Sequence, residues 1–209
     1  METINLTLPL KKEELKKLKV GDLVLLNGPM LVFRDAGHKR LFESIKANNQ
    51  AFNFKGETVY FMGPCPAKEG EVIGSAGPTT SCRMDKYTPF MLDEGLVAQI
   101  GKGKRSIECV EAFKRNGCVY FAAIGGAGAV YQSSIKSAKV LTFEDLGPEA
   151  IRRIEVENFP VVVAIDTLGN CIYKDWLIGF FKNSSIIFFK TIFTTYFFNI
   201  QIISGIFYV

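Results

Sequence analysis

The residues best suited to chemistry are concentrated in Gly74 to Pro89, which reads Gly-Ser-Ala-Gly-Pro-Thr-Thr-Ser-Cys-Arg-Met-Asp-Lys-Tyr-Thr-Pro. Gly74 and Gly77 carry no Cβ, so the backbone can pass close to a ligand or a neighbouring strand. Pro78 stiffens the chain ahead of Thr79, Thr80 and Ser81, three hydroxyls that can each donate and accept a hydrogen bond. Arg83 adds a planar fork matched to a carboxylate or phosphate, and Asp85 follows two residues later. This is the composition of a pocket for a small anion. It is equally the composition of a Gly/Pro loop leading into a capped helix, and residue chemistry alone leaves both readings open.

Two further cations stand beside glycines or a helix start. Arg34 precedes Asp-Ala-Gly-His38, where a strand hands over to a helix whose first N–H groups favour an anion. An arginine there can also be a plain ion-pair residue. Lys102 lies in Gly101-Lys-Gly-Lys104, with Lys104 as the exposed alternative. Three cations and a hydroxyl cluster suit a dicarboxylate, and a phosphate as well.

Short strands and helices must position these groups. Ile4, Leu6 and Leu8 alternate with polar residues as a strand does, and Pro9 ends it. Lys11 to Lys19 is expected to be a short helix with Leu15 and Leu18 on one face. Leu23 to Leu26 is a buried strand, Asn27-Gly28-Pro29 a turn, and Met30 to Phe33 the return strand. Asp35 is expected to cap a helix carrying Leu41, Phe42 and Ile45. Strands are expected at Val59–Met62, Leu96–Ile100, Cys118–Ala123, Val140–Thr142, Val161–Ile165 and Cys171–Tyr173, the last two joined by a turn at Gly169-Asn170. Thr88-Pro89 opens one helix; Ser106 caps another, which stops at Asn116-Gly117. The glycines from Gly125 to Gly128 do not have the spacing of a dinucleotide fingerprint. Alternating strands and helices give an α/β domain with a mixed sheet and flanking helices.

Composition narrows the classes. The 209 residues suffice for one domain with a substantial core, and 48% hydrophobic with 22% charged is ordinary for a globular protein. A net charge of +4 without a long Lys/Arg run argues against a nucleic-acid arm. The five cysteines are scattered with no Cys-x-x-Cys pair, which argues against a zinc knuckle or disulfide framework and for free thiols in a reducing cytoplasm.

Taken together, Ile73-Gly-Ser-Ala-Gly-Pro-Thr-Thr-Ser-Cys-Arg-Met-Asp85, Arg34-Asp-Ala-Gly-His38, Gly101-Lys-Gly103 and Ala123-Ile-Gly-Gly-Ala127 resemble class I fumarate hydratase. The similarity is to its C-terminal catalytic domain, a separate β subunit in many bacteria and archaea. The L(+)-tartrate dehydratase β subunit is similar too. The resemblance implies a swivelling β/β/α domain over residues 1–176, covering an active site on an α subunit in an α2β2-type assembly. It also implies a four-iron four-sulfur cluster, held by the α subunit and not by this chain. Carried over, Thr79 is the general base or the group that positions the moving proton. Arg34, Arg83 and Lys102 bind the substrate carboxylates, with Arg83 also catalytic. His38, Thr80, Ser81 and Asp85 lie behind them. A threonine hydroxyl is a poor base unless its neighbours lower its pKa. A non-catalytic dicarboxylate-binding subunit is the reading from another class.

Beyond Asp175 the sequence changes character. Residues 177–209 are rich in Phe, Ile, Asn, Lys and Tyr, and no charge falls between Thr191 and Val209. That length approaches a membrane span, but Asn199, Gln201 and several hydroxyls weaken insertion. A frameshifted or read-through end is the expectation for this tail, ahead of a membrane anchor or an extra packed element.

Overall fold

A computed structural model describes residues 3–173. The fold is mixed α/β. Its strands are β1 (Thr3–Thr7), β2 (Leu23–Val32), β3 (Thr58–Tyr60), β4 (Ala98–Gly101), β5 (Val119–Ala122), β6 (Ile135–Thr142) and β7 (Ile151–Ile165). Its helices are α1 (Lys12–Leu15), α2 (Asp35–Lys46), α3 (Thr88–Asp93), α4 (Ile107–Asn116) and α5 (Gly128–Ser134). The seven strands run in the order β1-β2-β3-β4-β5-β7-β6, and β2 also pairs with β7. That extra pairing closes β2, β3, β4, β5 and β7 into a ring. β2 to β5 run parallel to one another, and β7 is antiparallel to β2, β5 and β6.

One face of the ring strands forms a continuous apolar cluster that includes Leu26, Met30, Val32, Tyr60, Ile100, Phe121, Phe159 and Val163. The alternate residues of β3 and β5 meet the helices. Phe61, just past β3, touches His38 of α2 with ring centroids 5.1 Å apart, and Phe113 of α4 packs on Tyr120 at 6.1 Å. Strands β3, β4 and β5 are buried at every position, as expected for parallel strands covered on both faces.

Several local expectations meet a different outcome. Asn27-Gly28-Pro29 does not turn. The register with β7 slips between Leu26 and Gly28, so β2 runs unbroken through a bulge with Gly28 at φ +109°. Asn27 stays satisfied there, its Oδ1 accepting from Asn158 N at 2.8 Å. The helix expected over Lys11–Lys19 shortens to Lys12–Leu15. β7 begins ten residues before Val161, at Ile151, where it pairs with both β2 and β6. Cys171 makes a single bridge to Ile165 and starts no strand. The caps of α4 are as expected: Ser106 Oγ accepts from Cys109 N at 3.3 Å, and Gly117 closes the helix at φ 61°. No helix among the described residues is long and apolar enough to cross a membrane. The tail from residue 177 lies outside the described residues.

Candidate functional site

The four parallel strands end on one side of the sheet, and the loops leaving them carry the candidate residues. Arg34 follows β2, the Gly74–Asp85 stretch returns after β3, Lys102 follows β4, and Ile124–Gly128 follows β5. The carboxyl ends of parallel strands are where α/β sheets bind ligands.

The Gly74–Ser81 stretch is stitched between the ends of β3 and β4. Thr79 N donates to Phe61 O at 2.7 Å, Lys102 N to Thr79 O at 3.2 Å, and Ser81 N to Lys102 O at 2.8 Å. A Cβ on Gly101 would strike Ser81 Oγ and lie 2.9 Å from Phe61 Cδ2, so the glycine permits this insertion. At the front of the stretch, Ala76 N donates to Gly128 O at 3.1 Å, and a Cβ on Gly128 would contact Ser75 Oγ. The glycines after β5 thus serve a close backbone crossing. Tyr60 Oη donates to Ala76 O at 2.6 Å and anchors the same arm from beneath.

Thr79 is largely buried, and its hydroxyl makes no hydrogen bond among the described residues. Thr80 is exposed and bridges to Lys102 in parallel. Ser81 is fully buried, its hydroxyl 2.9 Å from Tyr120 Oη. Lys102 forms no ion pair among the described residues. Its side chain runs beside Gly125, where an added Cβ would lie 3.7 Å from Lys102 Nζ. Lys104 is exposed. Thr79, Thr80, Ser81 and Lys102 are therefore neighbours.

The two arginines form a second group, and each already holds a carboxylate. Arg34 Nη2 lies 3.0 Å from Glu149 Oε1, while Glu149 Oε2 accepts from Ala36 N at 2.6 Å. The anion position at the start of α2 is therefore filled by this chain's own Glu149, a residue without any motif to mark it. The guanidinium lies so close over Gly63 that a Cβ there would fall 2.7 Å from Arg34 Nε. Arg83 holds Asp35 through one hydrogen bond, Nε donating to Oδ1 at 2.9 Å, with Nη2 in ion-pair contact with Oδ2 at 2.7 Å. Asp35 accordingly does not cap α2, whose N-cap is Arg34 without a side-chain bond.

His38 is completely enclosed by Phe33, Phe61 and Tyr87. Its Nδ1 lies 3.0 Å from Arg34 O. Burial, against the pull of that carbonyl, lowers its pKa from 6.5 to about 3, so the ring is neutral at pH 7. Asp85 is committed to Arg105 and to Ser106 N, at 2.6 and 2.7 Å. Among the described residues no group of three or more His, Cys, Asp or Glu could hold a metal. Cys65 and Cys82 are exposed, while Cys109, Cys118 and Cys171 are buried.

Comparison with known proteins places the chain in a family. The chain is 36% identical over 179 residues to fumarate hydratase 2 of Leishmania major, covering 83% of this chain and 32% of that protein. It is 36% identical over 176 residues to the aerobic class I fumarate hydratase of Escherichia coli, covering 82% and 32%. It is 40% identical over 173 residues to a Methanocaldococcus jannaschii protein provisionally named L(+)-tartrate dehydratase subunit beta, covering 79% and 89%. The chain thus spans about a third of the two fumarate hydratases and most of the archaeal subunit. The family described as Fumarase C-terminus matches residues 1–176, and the chain belongs to that family.

Proposed function

We propose that this chain is the β subunit of an iron–sulfur hydro-lyase that interconverts fumarate and malate. The observation that carries the reading is the Thr79 hydroxyl. It stands at the exit of parallel strands without a hydrogen-bond partner among the described residues, one residue from the bridge to the unpaired cation Lys102. Thr79 acts on the moving proton. Lys102, Arg83 and Arg34 hold the two carboxylates, the arginines through donors beyond those given to Asp35 and Glu149. On this reading the domain swivels over an α subunit in an α2β2-type cytoplasmic assembly. The four-iron four-sulfur cluster would sit on that partner, in keeping with the class I fumarate hydratases among the relatives.

The test is co-expression with the α subunit and an assay on fumarate, malate and tartrate. Replacing Thr79 with alanine lowers kcat by about 10²- to 10⁴-fold, the usual share of a proton-transfer group, while the subunits still co-purify. Normal turnover in that variant refutes the role. L(+)-tartrate dehydration is the second reading, favoured by the archaeal relative whose length this chain almost spans; a preference for tartrate in the same assay would select it.

A further inference from the structure

The hydroxyl arm and the Lys102 loop leave different strands, and two backbone hydrogen bonds join them directly. Beneath them lie two side chains with no role so far. Tyr120, from the middle of β5, donates its hydroxyl proton to Gly103 O at 3.0 Å. Its oxygen is then left to accept from Ser81 Oγ, 2.9 Å away. One phenol thereby spans the residue after Lys102 and the residue two past Thr79.

Arg105 completes the support. Its side chain is wholly buried, with the guanidinium 4.9 Å from the Tyr120 ring centroid, 5.5 Å from Phe61 and 5.7 Å from Phe113. Nε donates to Asp85 Oδ1 at 2.6 Å, Nη1 to Gln99 Oε1 at 2.9 Å, and Nη2 to Thr88 Oγ1 at 2.5 Å. Asp85 Oδ2 accepts in turn from Ser106 N. The residue three past Lys102 is therefore fastened to the residue two past Arg83. A buried charge hydrogen-bonded at each of its three nitrogens is costly to disturb, so this joint is stiff.

We propose that Tyr120 and Arg105 are positioning residues that fix Lys102 against Thr79 and Arg83. Neither needs to touch substrate. Lysine is a flexible point charge, so the placement of its backbone decides where the ammonium can reach. A small displacement of such a group weakens its hold on the carboxylate it is meant to bind. The role assigned here rests on the dicarboxylate site proposed above.

The test uses the full chain carrying Tyr120→Phe, which keeps the ring and its contact with Arg105, and Arg105→Lys, which keeps the charge and loses the fork. In amide hydrogen exchange, Tyr120→Phe should speed the Ser81 and Lys102 amides about tenfold, as loss of a hydrogen bond implies, and leave the β2 and β7 amides unchanged. Unchanged Ser81 and Lys102 rates, or a uniform rise across the sheet, would overturn the proposal. In the complex with the α subunit, Tyr120→Phe should raise KM about three- to tenfold with kcat within about twofold, the effect of one misplaced hydrogen bond. That rise should vanish in a Lys102→Met background; additive effects count against positioning. If Arg105→Lys fails to fold, Tyr120→Phe decides. A wild-type complex without hydro-lyase activity would refute the proposed function, and the exchange experiment would still decide positioning.

Discussion

Replacing His38 with asparagine should make the domain less sensitive to acid. The imidazole is fully buried, Nε2 has no hydrogen-bond partner, and Arg34 O already accepts from the His38 backbone N–H at 2.8 Å. Burial lowers the folded pKa from 6.5 to about 3, with the nearby Arg105 charge acting in the same direction. An unfolded chain takes up a proton below pH 6.5 that the folded chain refuses until about pH 3. Stability from this residue is therefore complete above pH 6.5 and lost as the pH falls towards 3. At 1.36 kcal/mol per unit the full loss is about 5 kcal/mol, of which about 2 kcal/mol has gone by pH 5. Urea unfolding at pH 7 and pH 5 measures it. The wild type should lose about 2 kcal/mol more than His38→Asn between the two, since asparagine does not titrate and the cavity it leaves costs the same at both. Equal losses would show that the histidine titrates normally, and the reasoning from burial would be wrong.

Gly101→Ala should lower stability by about 1–3 kcal/mol, read as a reduced melting temperature, because the new Cβ meets Ser81 Oγ, Phe61 and Thr79 O in a closed site. An unchanged melting temperature would mean that the arm can move aside. Ser106→Ala removes the side-chain cap of α4 and should cost about 1 kcal/mol in denaturant unfolding; a neutral result would mean that Asp85, bonded to Ser106 N, holds the helix start unaided.

Periodicity and turn chemistry made much of this architecture legible. The strands at Leu96–Ile100 and Cys118–Ala123 and both caps of α4 stand close to where apolar runs, a serine and a glycine put them. What failed did so for identifiable reasons. Gly28 and Pro29 look like a turn, yet a left-handed glycine also suits a bulge, and only the partner strand decides. The first half of β7 was hidden because Arg152, Arg153, Glu155 and Glu157 dilute its apolar signal. In the site, residue types and glycine spacing marked Arg34 as a cation at a helix start, open to a ligand or to a plain ion pair, and the structure pairs it with a carboxylate of this chain. That the anion is Glu149 depends on contact between distant segments. The scaffold of Tyr120, Arg105 and Gln99 left no local signal either, since burial of an arginine is a property of the finished packing.

The way β7 completes the sheet also constrains how the protein can be made. Leu23 finds its partner in Val162 and Val32 in Arg152, so β2 leaves the ribosome long before the strand that will pair with it. β5 and β6 depend on the same late strand. Such distant pairings give a high contact order and slow folding, and until β7 arrives the nascent chain presents open strand edges of the kind that aggregate. A chain cut short before Ile151 would lack the seam that closes the ring, and the loops bearing Thr79 and Lys102 would lose the frame that holds them together.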